Sequence, residues 1–274
     1  MRQTAAPLAA SLRFVALGSC FSEAIGGRLA DGGVDIAVNP MGVLFNPCSI
    51  ASIVERALEG RPFGTDDLYV DEGGVSHALA FESRRQGTDS QALIDRLNND
   101  FTAFAERLRK ADCWLITFGT AWCFRHIPSD RLVGNCHKLP DKDFERFLVS
   151  VDKIEEQWNG ILKSAPRVIF TVSPVRHLND GLHGNTLSKA RLHLAVENLC
   201  RNHPNAEYFP AFEALNDDLR DYRFYADDMK HPSALAEQYI FELFEKCYFT
   251  KDDIAVIERN RRAKLQSLHR PIIL

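Results

Sequence analysis

Short apolar runs alternate with stretches of helical periodicity along most of this chain. Apolar runs bounded by turn residues are typical of buried strands, and they lie at 14–17, 34–38, 113–118, 167–172 and 207–209. Apolar residues spaced three and four apart indicate helices, which we place at 22–30, 48–58, 91–110, 143–162, 186–201, 212–219, 234–249 and 253–268. Strands that alternate with helices predict an α/β fold, with a mostly parallel central sheet and helices on both faces.

Two segments are less regular than the rest. Residues 61–87 contain short strand candidates at 68–71 and 75–81, and residues 121–133 read as a hairpin that turns at 128–130. We interpret 61–87 and 120–140 as insertions that shape a pocket. Because no repeat or linker is present, the sequence predicts a single domain over 1–274, ending in a helix at 253–268.

Composition narrows the class of protein. The chain has 274 residues, of which 45% are hydrophobic, and this is enough for a substantial core. The net charge is −4 with both signs dispersed, which argues against a nucleic-acid partner. No apolar window is long enough to predict a membrane span. The seven cysteines form no Cys-x-x-Cys pair, which favours free thiols and a cytoplasmic location.

The N-terminal region allows one other interpretation. Residues 17–20 (Leu-Gly-Ser-Cys) resemble the lipid-attachment box of a bacterial lipoprotein. Pro7 and Arg13 interrupt the apolar core that a signal peptide requires. We therefore favour the first strand of an enzyme over a lipoprotein leader.

The predicted strands end in polar loops. These loops begin with Gly18-Ser19-Cys20, with residues 39–42, with Gly119-Thr120 and with residues 173–177. In a parallel α/β fold they converge on one edge of the sheet, outside the carboxyl ends of the strands. Far along the chain, Asp228 and His231 form an Asp-x-x-His pattern. A nucleophile after the first strand and a late Asp-x-x-His predict a hydrolytic triad.

Several blocks in order along the chain resemble the GSCFA family. They are residues 18–22 (Gly-Ser-Cys-Phe-Ser), 39–42, 46–47, 173–177, 188–190 and 225–233. The resemblance implies the SGNH/GDSL hydrolase superfamily, whose members have a three-layer α/β/α flavodoxin-like fold. It also implies activity on esters, thioesters or acylated sugars, and so a small-molecule acyl or acylated-sugar substrate as the partner.

The resemblance favours Cys20 as the nucleophile. In the GDSL pattern the attacking serine is the second residue after the glycine that closes the first strand, and Cys20 has that place here while Ser19 has the aspartate's. A thiol is the stronger nucleophile, and a helix beginning near Ser22 is expected to lower its pKa. Ser19 as the nucleophile, or an inert buried Cys20, are the alternatives.

His231 is the predicted base, and Asp228 is the carboxylate that orients it. Asp227 would replace Asp228 if the register slipped by one residue. The alternative without catalysis is a surface turn with a capping aspartate before Pro232.

The predicted oxyanion hole departs from the superfamily. The resemblance implies the nucleophile's N–H, a glycine N–H, which Gly42 can supply, and an asparagine in the block that Gly119 opens. Ala121 stands where that asparagine is expected. Loss of one donor typically costs ~10²–10³ in rate, so a replacement is needed; the candidates are Asn39, Asn46, Thr120 and Arg176. Trp122 could instead wall the acyl pocket.

The loop after the fourth strand and the helix behind it offer further candidates. Arg176 could bind an anionic substrate group or form a structural ion pair. His177 could contact substrate or be a hydrogen-bonded loop histidine. We interpret Ser188 as a helix cap and Lys189 as a surface lysine.

No metal or cofactor is predicted. Adjacent ligands on a strand point to opposite faces, and the spacing of the four candidates fits none of the usual zinc sites; they are Cys123, His126, Cys136 and His137. No nucleotide-binding glycine motif is present. A non-catalytic ligand-binding protein of the same fold is the alternative to the enzyme. Hydrolysis and acyl transfer would use the same residues, and the sequence leaves the oligomeric state open.

Overall fold

The computed structural model describes residue 4 and residues 6–268; the outermost residues of the predicted domain, at 1–3, 5 and 269–274, lie outside the described part. The strands are β1 (Arg13–Gly18), β2 (Asp35–Val38), β3 (Tyr69–Val70), β4 (Ser76–His77), β5 (Gln86–Gly87), β6 (Cys113–Phe118), β7 (Trp122–His126), β8 (Arg131–Val133), β9 (Phe144–Leu148), β10 (Arg167–Val172) and β11 (Ala206–Tyr208).

The helices alternate with the longer strands. They are α1 (Cys20–Asp31), α2 (Pro47–Glu59), α3 (Ser90–Lys110), α4 (Val151–Leu162), α5 (Gly181–Asn202), α6 (Ala211–Glu213), α7 (Ala234–Tyr248) and α8 (Lys251–Leu268). A π-helical turn, Ala214–Leu219, continues α6. Among these, no helix is both long and apolar enough to cross a bilayer.

The central sheet has five strands in the order β11-β10-β6-β1-β2, and every pairing in it is parallel. We number these five strands 1 to 5 along the chain and read them from the β2 edge. Their order is then 2-1-3-4-5, which is the flavodoxin-like order. The predicted three-layer α/β/α fold with a parallel sheet is therefore confirmed.

Alternation along the strands builds a core on each face of the sheet. In β1, Val15 and Leu17 belong to the core beneath α2 to α5. Phe14 and Ala16 belong to the opposite core, beneath α1 and α7. Successive side chains of a strand point to opposite faces, so a strand buried on both sides reads as a continuous apolar run.

Two small antiparallel sheets are built from the irregular segments: β3-β4-β5 lies within 61–87, and β8-β7-β9 extends past 140 through β9. The hairpin predicted at 121–133 is confirmed as β7 and β8. The helix predicted over 143–162 is wrong in its first part, because residues 144–148 pair with β7 as β9. Ser150 caps the helix instead, and its hydroxyl accepts the Lys153 N–H at 3.2 Å, which starts α4 at Val151.

Candidate functional site

Strand β1 can deliver its loop to the sheet edge only because it ends in glycine. Gly18 has φ of +145°, and a Cβ there would lie 2.2 Å from the Thr117 carbonyl oxygen. The Gly18 N–H donates to Asn39 Oδ1 at 2.9 Å. The ends of β1 and β2 are thereby joined where α1 begins.

Ser19 and Cys20 differ in accessibility. Ser19 is the N-cap residue of α1 but makes no capping bond with its side chain; it is fully buried, and its Oγ has no partner among the described residues. Cys20 opens the helix and is partly exposed. Of the two candidate nucleophiles, only Cys20 faces solvent.

The thiol of Cys20 is not activated in the way the sequence predicts. Burial raises its pKa above the ordinary cysteine value, and the nearby Glu23 and Glu237 add to the rise. The N–H groups of Phe21 and Cys20 act in the opposite direction but do not compensate. The predicted lowering of the pKa by the helix N-terminus is therefore wrong: loss of solvation outweighs the helix amides.

Asp228 and His231 form a hydrogen-bonded pair within one turn. Asp228 Oδ2 lies 2.6 Å from His231 Nδ1, and Oδ1 accepts the N–H groups of Lys230 at 2.9 Å and His231 at 3.0 Å. These bonds hold the pKa of the Asp228 carboxyl well below its usual range. Met229 completes the turn with φ of +59°. Asp228, and not Asp227, is the carboxylate that orients the imidazole.

The turn that carries His231 is fixed to the sheet edge by its neighbours. The Arg176 N–H donates to the Lys230 carbonyl at 3.1 Å, and the Ala226 N–H donates to the His231 carbonyl at 2.8 Å. Ser233 then caps α7, which packs against α1. His231 and Cys20 thus lie at the starts of two packed helices, although within 6–268 no hydrogen bond joins their side chains. His231 Nε2 makes none with any described residue.

A buried lysine ties two strand ends together beneath this surface. Lys189 Nζ donates to the carbonyl oxygens of Gly119 and Ser173, each at 2.6 Å. These residues directly follow β6 and β10. Complete burial lowers the Lys189 pKa to about 7. The predicted surface lysine is therefore wrong.

Ser188 holds the loop after β6. Its Oγ accepts the Ala121 N–H at 2.7 Å and lies 3.1 Å from the Thr120 hydroxyl oxygen. Thr120 also accepts the Trp122 N–H at 3.1 Å. Ser188 lies inside α5, which begins at Gly181, so its predicted role as a helix cap is wrong. The Thr120 hydroxyl is occupied by these structural bonds.

His177 and Ser19 both lie close to the Cα of Gly119, on the side where a side chain would project. A Cβ on Gly119 would lie 3.2 Å from the Ser19 Cβ and 3.4 Å from His177 Nε2. His177 Nε2 is buried without a partner in the described part of the chain. Burial and the Lys189 charge lower the His177 pKa to about 4, so the ring is neutral at pH 7. Two residues that each carry an unpartnered buried polar atom therefore lie against Gly119.

Most of the predicted oxyanion donors already take part in local hydrogen bonds. The Gly42 N–H donates to the Asn39 carbonyl at 2.8 Å, which corrects its assignment as a free donor. Asn46 Oδ1 accepts the Ser49 N–H at 2.8 Å as the cap of α2. Asn39 is different: its Oδ1 binds Gly18, while its Nδ2 is buried and unpartnered among the described residues.

Arg176 is stacked rather than ion-paired. Its guanidinium carbon lies 4.0 Å from the Tyr225 ring centroid and 5.7 Å from that of Tyr222. Nη1 donates to the Met229 carbonyl at 3.5 Å. Within 6–268 it has no carboxylate partner, so the structural ion pair considered as an alternative is absent from the described chain.

The residues with a superficially zinc-like spacing are dispersed. His137 Nδ1 lies 3.3 Å from His77 Nδ1 and its Nε2 lies 3.0 Å from the Phe81 carbonyl oxygen. His126 Nδ1 lies 2.8 Å from the Ser129 hydroxyl oxygen, and Cys123 is a free thiol buried in the core. Over the described residues, no group of three or more His, Cys, Asp or Glu side chains is arranged to hold a metal ion.

Sequence comparison places the chain in a family. The family model described as "GSCFA family" matches residues 13–244, a span that includes every residue of the site described above. No curated protein matches the chain.

Proposed function

The chain belongs to the GSCFA family, and from its site we propose an SGNH-like hydrolase or acyltransferase that acts on an ester or thioester. Cys20 is the nucleophile, His231 the general base and Asp228 the residue that orients the base. The thiol chemistry fits a reducing, cytoplasmic compartment, in keeping with seven free cysteines.

The observation that carries this proposal is the Asp228–His231 pair at the edge where α1 begins. The 2.6 Å contact to Nδ1 leaves Nε2 directed away from the carboxylate, as a triad requires. Both side chains are about half exposed, at 44% and 48%, so a substrate can reach them. Catalytic hydrogen bonds are often long before substrate binds, which is compatible with the missing bond between Cys20 and His231.

In the proposed reaction the Cys20 proton moves to His231 Nε2 as sulfur attacks the carbonyl carbon. The tetrahedral intermediate collapses, and the leaving alkoxide or thiolate takes the proton from His231. The product is a thioester between Cys20 and the acyl group. Water then attacks, releasing the acid, or an acceptor alcohol attacks, forming a new ester; in either case His231 takes the proton of the attacking group and returns it to sulfur.

The developing oxyanion needs donors in place of the missing asparagine. The N–H of Cys20, at the first position of α1, supports this role because the first N–H groups of a helix have no partner within it. Asn39 Nδ2 and His177 Nε2 are buried and unpartnered in the described structure. We assign the remaining donor to one of these two side chains.

The test uses p-nitrophenyl esters and acyl thioesters with wild type, Cys20→Ala, Ser19→Ala, His231→Ala and Asp228→Asn. Cys20→Ala and His231→Ala should abolish turnover, and Asp228→Asn should reduce it by up to about 10⁴-fold because the imidazole loses its orientation. Mass spectrometry should find the acyl group on Cys20 and not on Cys136, a partly exposed thiol that serves as the control. Activity that survives Cys20→Ala but not Ser19→Ala would move the nucleophile to Ser19.

A non-catalytic ligand-binding function is the second candidate. The observation in its favour is that the Gly42 N–H, one expected oxyanion donor, is bonded to Asn39. Under this function no variant or wild type turns over any acyl compound, and Cys20 is never acylated. Detection of an acyl-enzyme on Cys20 excludes it.

A further inference from the structure

A cavity of about 140 Å³ opens beside the turn that carries His231. Its walls are formed by Arg176, by residues of the π-helical turn Ala214–Leu219, and by the segment that follows it. The polar lining consists of two arginines, one carboxylate, one amide and two phenol rings: Arg176, Arg220, Asp221, Asn216, Tyr222 and Tyr225. The proposed triad uses none of them.

The cavity is lined by more positive than negative charge. Neither Arg176 nor Arg220 has a carboxylate within 4.0 Å among the described residues. Asp221 is the single acid in the lining, and its oxygens bind Arg223 outside the cavity: Oδ1 accepts the Arg223 N–H at 2.9 Å, and Oδ2 lies 3.8 Å from Nε. Two arginines without a carboxylate partner among the described residues therefore line the cavity.

The wall of the cavity is held in place before any ligand binds. Arg176 stacks on Tyr225 at 4.0 Å, and the Tyr225 hydroxyl donates to Asn216 Oδ1 at 3.1 Å. Arg220 has φ of +46° directly after the π-helical turn. Turns of π-helix and left-handed residues are frequent at functional sites, and an aromatic partner orients a guanidinium for planar recognition.

Arg176 connects the cavity with the turn that carries His231, the proposed base. The Arg176 N–H binds the carbonyl of Lys230, the residue before His231, and its guanidinium binds the carbonyl of Met229. A group bound in the cavity consequently lies next to the turn that supplies the general base. Arginine pairs recognise carboxylates and phosphates through two parallel N–H bonds.

We propose that this cavity is an anion subsite, and that Arg176 and Arg220 hold a phosphate or carboxylate group of the substrate. The inference rests on the proposed function for its link to catalysis, because it makes the acyl substrate an anionic compound. The binding of an anion itself does not depend on turnover.

The binding test titrates ¹⁵N-labelled protein separately with inorganic phosphate and with acetate. Wild type should show saturable shifts confined to the Nε–H signals of Arg176 and Arg220 and to the amides of 215–225. Arg220→Gln should weaken binding about tenfold or more, since a charge-assisted bond is lost. Arg223→Gln removes an equal charge from the same segment outside the cavity. The backbone N–H of residue 223 still binds Asp221 in this variant, so the affinity should stay unchanged.

Comparing the affinities for phosphate and acetate shows which anionic group the cavity recognises. Preference for phosphate identifies a phosphorylated substrate, and preference for acetate identifies a carboxylate. Absence of saturable shifts with both, or equal weakening by Arg220→Gln and Arg223→Gln, overturns the subsite.

A kinetic test separates this inference from the proposed function. The ratio of kcat/KM for p-nitrophenyl succinate, which carries a free carboxylate, to that for p-nitrophenyl acetate should fall about tenfold in Arg220→Gln and stay constant in Arg223→Gln. Anion binding in a protein that acylates nowhere refutes the hydrolase or transferase but keeps the subsite. Turnover without any anion binding refutes the subsite alone.

Discussion

Lys189 gives the strongest quantitative prediction, because a fully buried lysine makes stability depend on pH. Its amino group has two acceptors, the carbonyls of Gly119 and Ser173. A neutral amine has two N–H groups and satisfies both, whereas an ammonium has a third N–H that finds no acceptor among the described residues. This geometry agrees with a pKa that burial lowers to about 7.

The sign of the effect follows from the direction of that change. The unfolded chain keeps Lys189 protonated up to its ordinary pKa of 10.5, while the folded protein releases the proton near 7. Between these values the unfolded state binds more protons, so stability rises with pH. From about pH 6 to about pH 8.5, the gain due to Lys189 is about 2 kcal/mol.

The assay is urea unfolding of wild type and Lys189→Met across this pH range. Other groups titrate as well, so the relevant quantity is the difference between the two proteins at each pH. Lys189→Met leaves two buried carbonyls unpaired, which costs roughly 1–3 kcal/mol each, and this part is independent of pH. The advantage of wild type should grow by about 2 kcal/mol from about pH 6 to about pH 8.5. A constant difference would show that Lys189 keeps its charge in the fold and would refute the reasoning.

Substitutions at three further positions test the structure around the site by chemical denaturation. Gly18→Ala should destabilise the fold by about 3 kcal/mol, because its Cβ would meet the Thr117 carbonyl and its φ is strained; an unchanged midpoint would contradict this. Gly27→Ala, in α1 with open space around its Cβ, should instead stabilise by about 0.5–1 kcal/mol. Ser188→Ala leaves the Ala121 N–H unpaired and should cost about 1–3 kcal/mol, whereas Ser188→Thr should restore part of that loss if the hydroxyl bond is responsible.

The middle of the sheet could be predicted because its central strands are buried on both faces. Residues 113–118 and 167–172 read as apolar runs from sequence alone, and both are central strands. Strand β9 could not be predicted in the same way. Its residues 144–148 are only partly buried and form a strand through pairing with β7, a tertiary contact that periodicity within the segment does not report.

The buried polar residues of the site were missed for a different reason. Residue type alone places Ser188 and Lys189 at the surface, because serine and lysine are mostly exposed in proteins. Helical periodicity instead indicates that Ser188 is buried. Ser188 stands four residues before Leu192, on the helix face that buries Leu192, Ala195 and Leu199. A lysine beside that face needs acceptors, and the carbonyls at two strand ends provide them.

The Gly42 assignment failed because a backbone N–H is not free merely because its residue is glycine. Asn39 and Gly42 close a tight turn, in which the Gly42 N–H donates to the Asn39 carbonyl. That turn also aims the Asn39 side chain at Gly18. A motif implies a donor, but the local hydrogen bonds decide whether the donor is available.

The charges beneath Cys20 determine how its thiol can react under the proposed function. Above pH 7 both buried bases below it are largely neutral, since the pKa of Lys189 is lowered to about 7 and that of His177 to about 4. Neither then supplies a positive charge to stabilise a thiolate, and burial raises the pKa of Cys20 further. The Cys20 thiol must therefore lose its proton while its sulfur attacks the substrate, and His231 is the group placed to take that proton. Alkylation by iodoacetamide should accordingly be slow for Cys20 at about pH 8, where Lys189 is largely neutral, while acylation by a substrate held beside His231 should be fast and should vanish in His231→Ala. Rapid alkylation that is unaffected by His231→Ala would mean that a thiolate already exists in the resting protein, and would contradict this order of events.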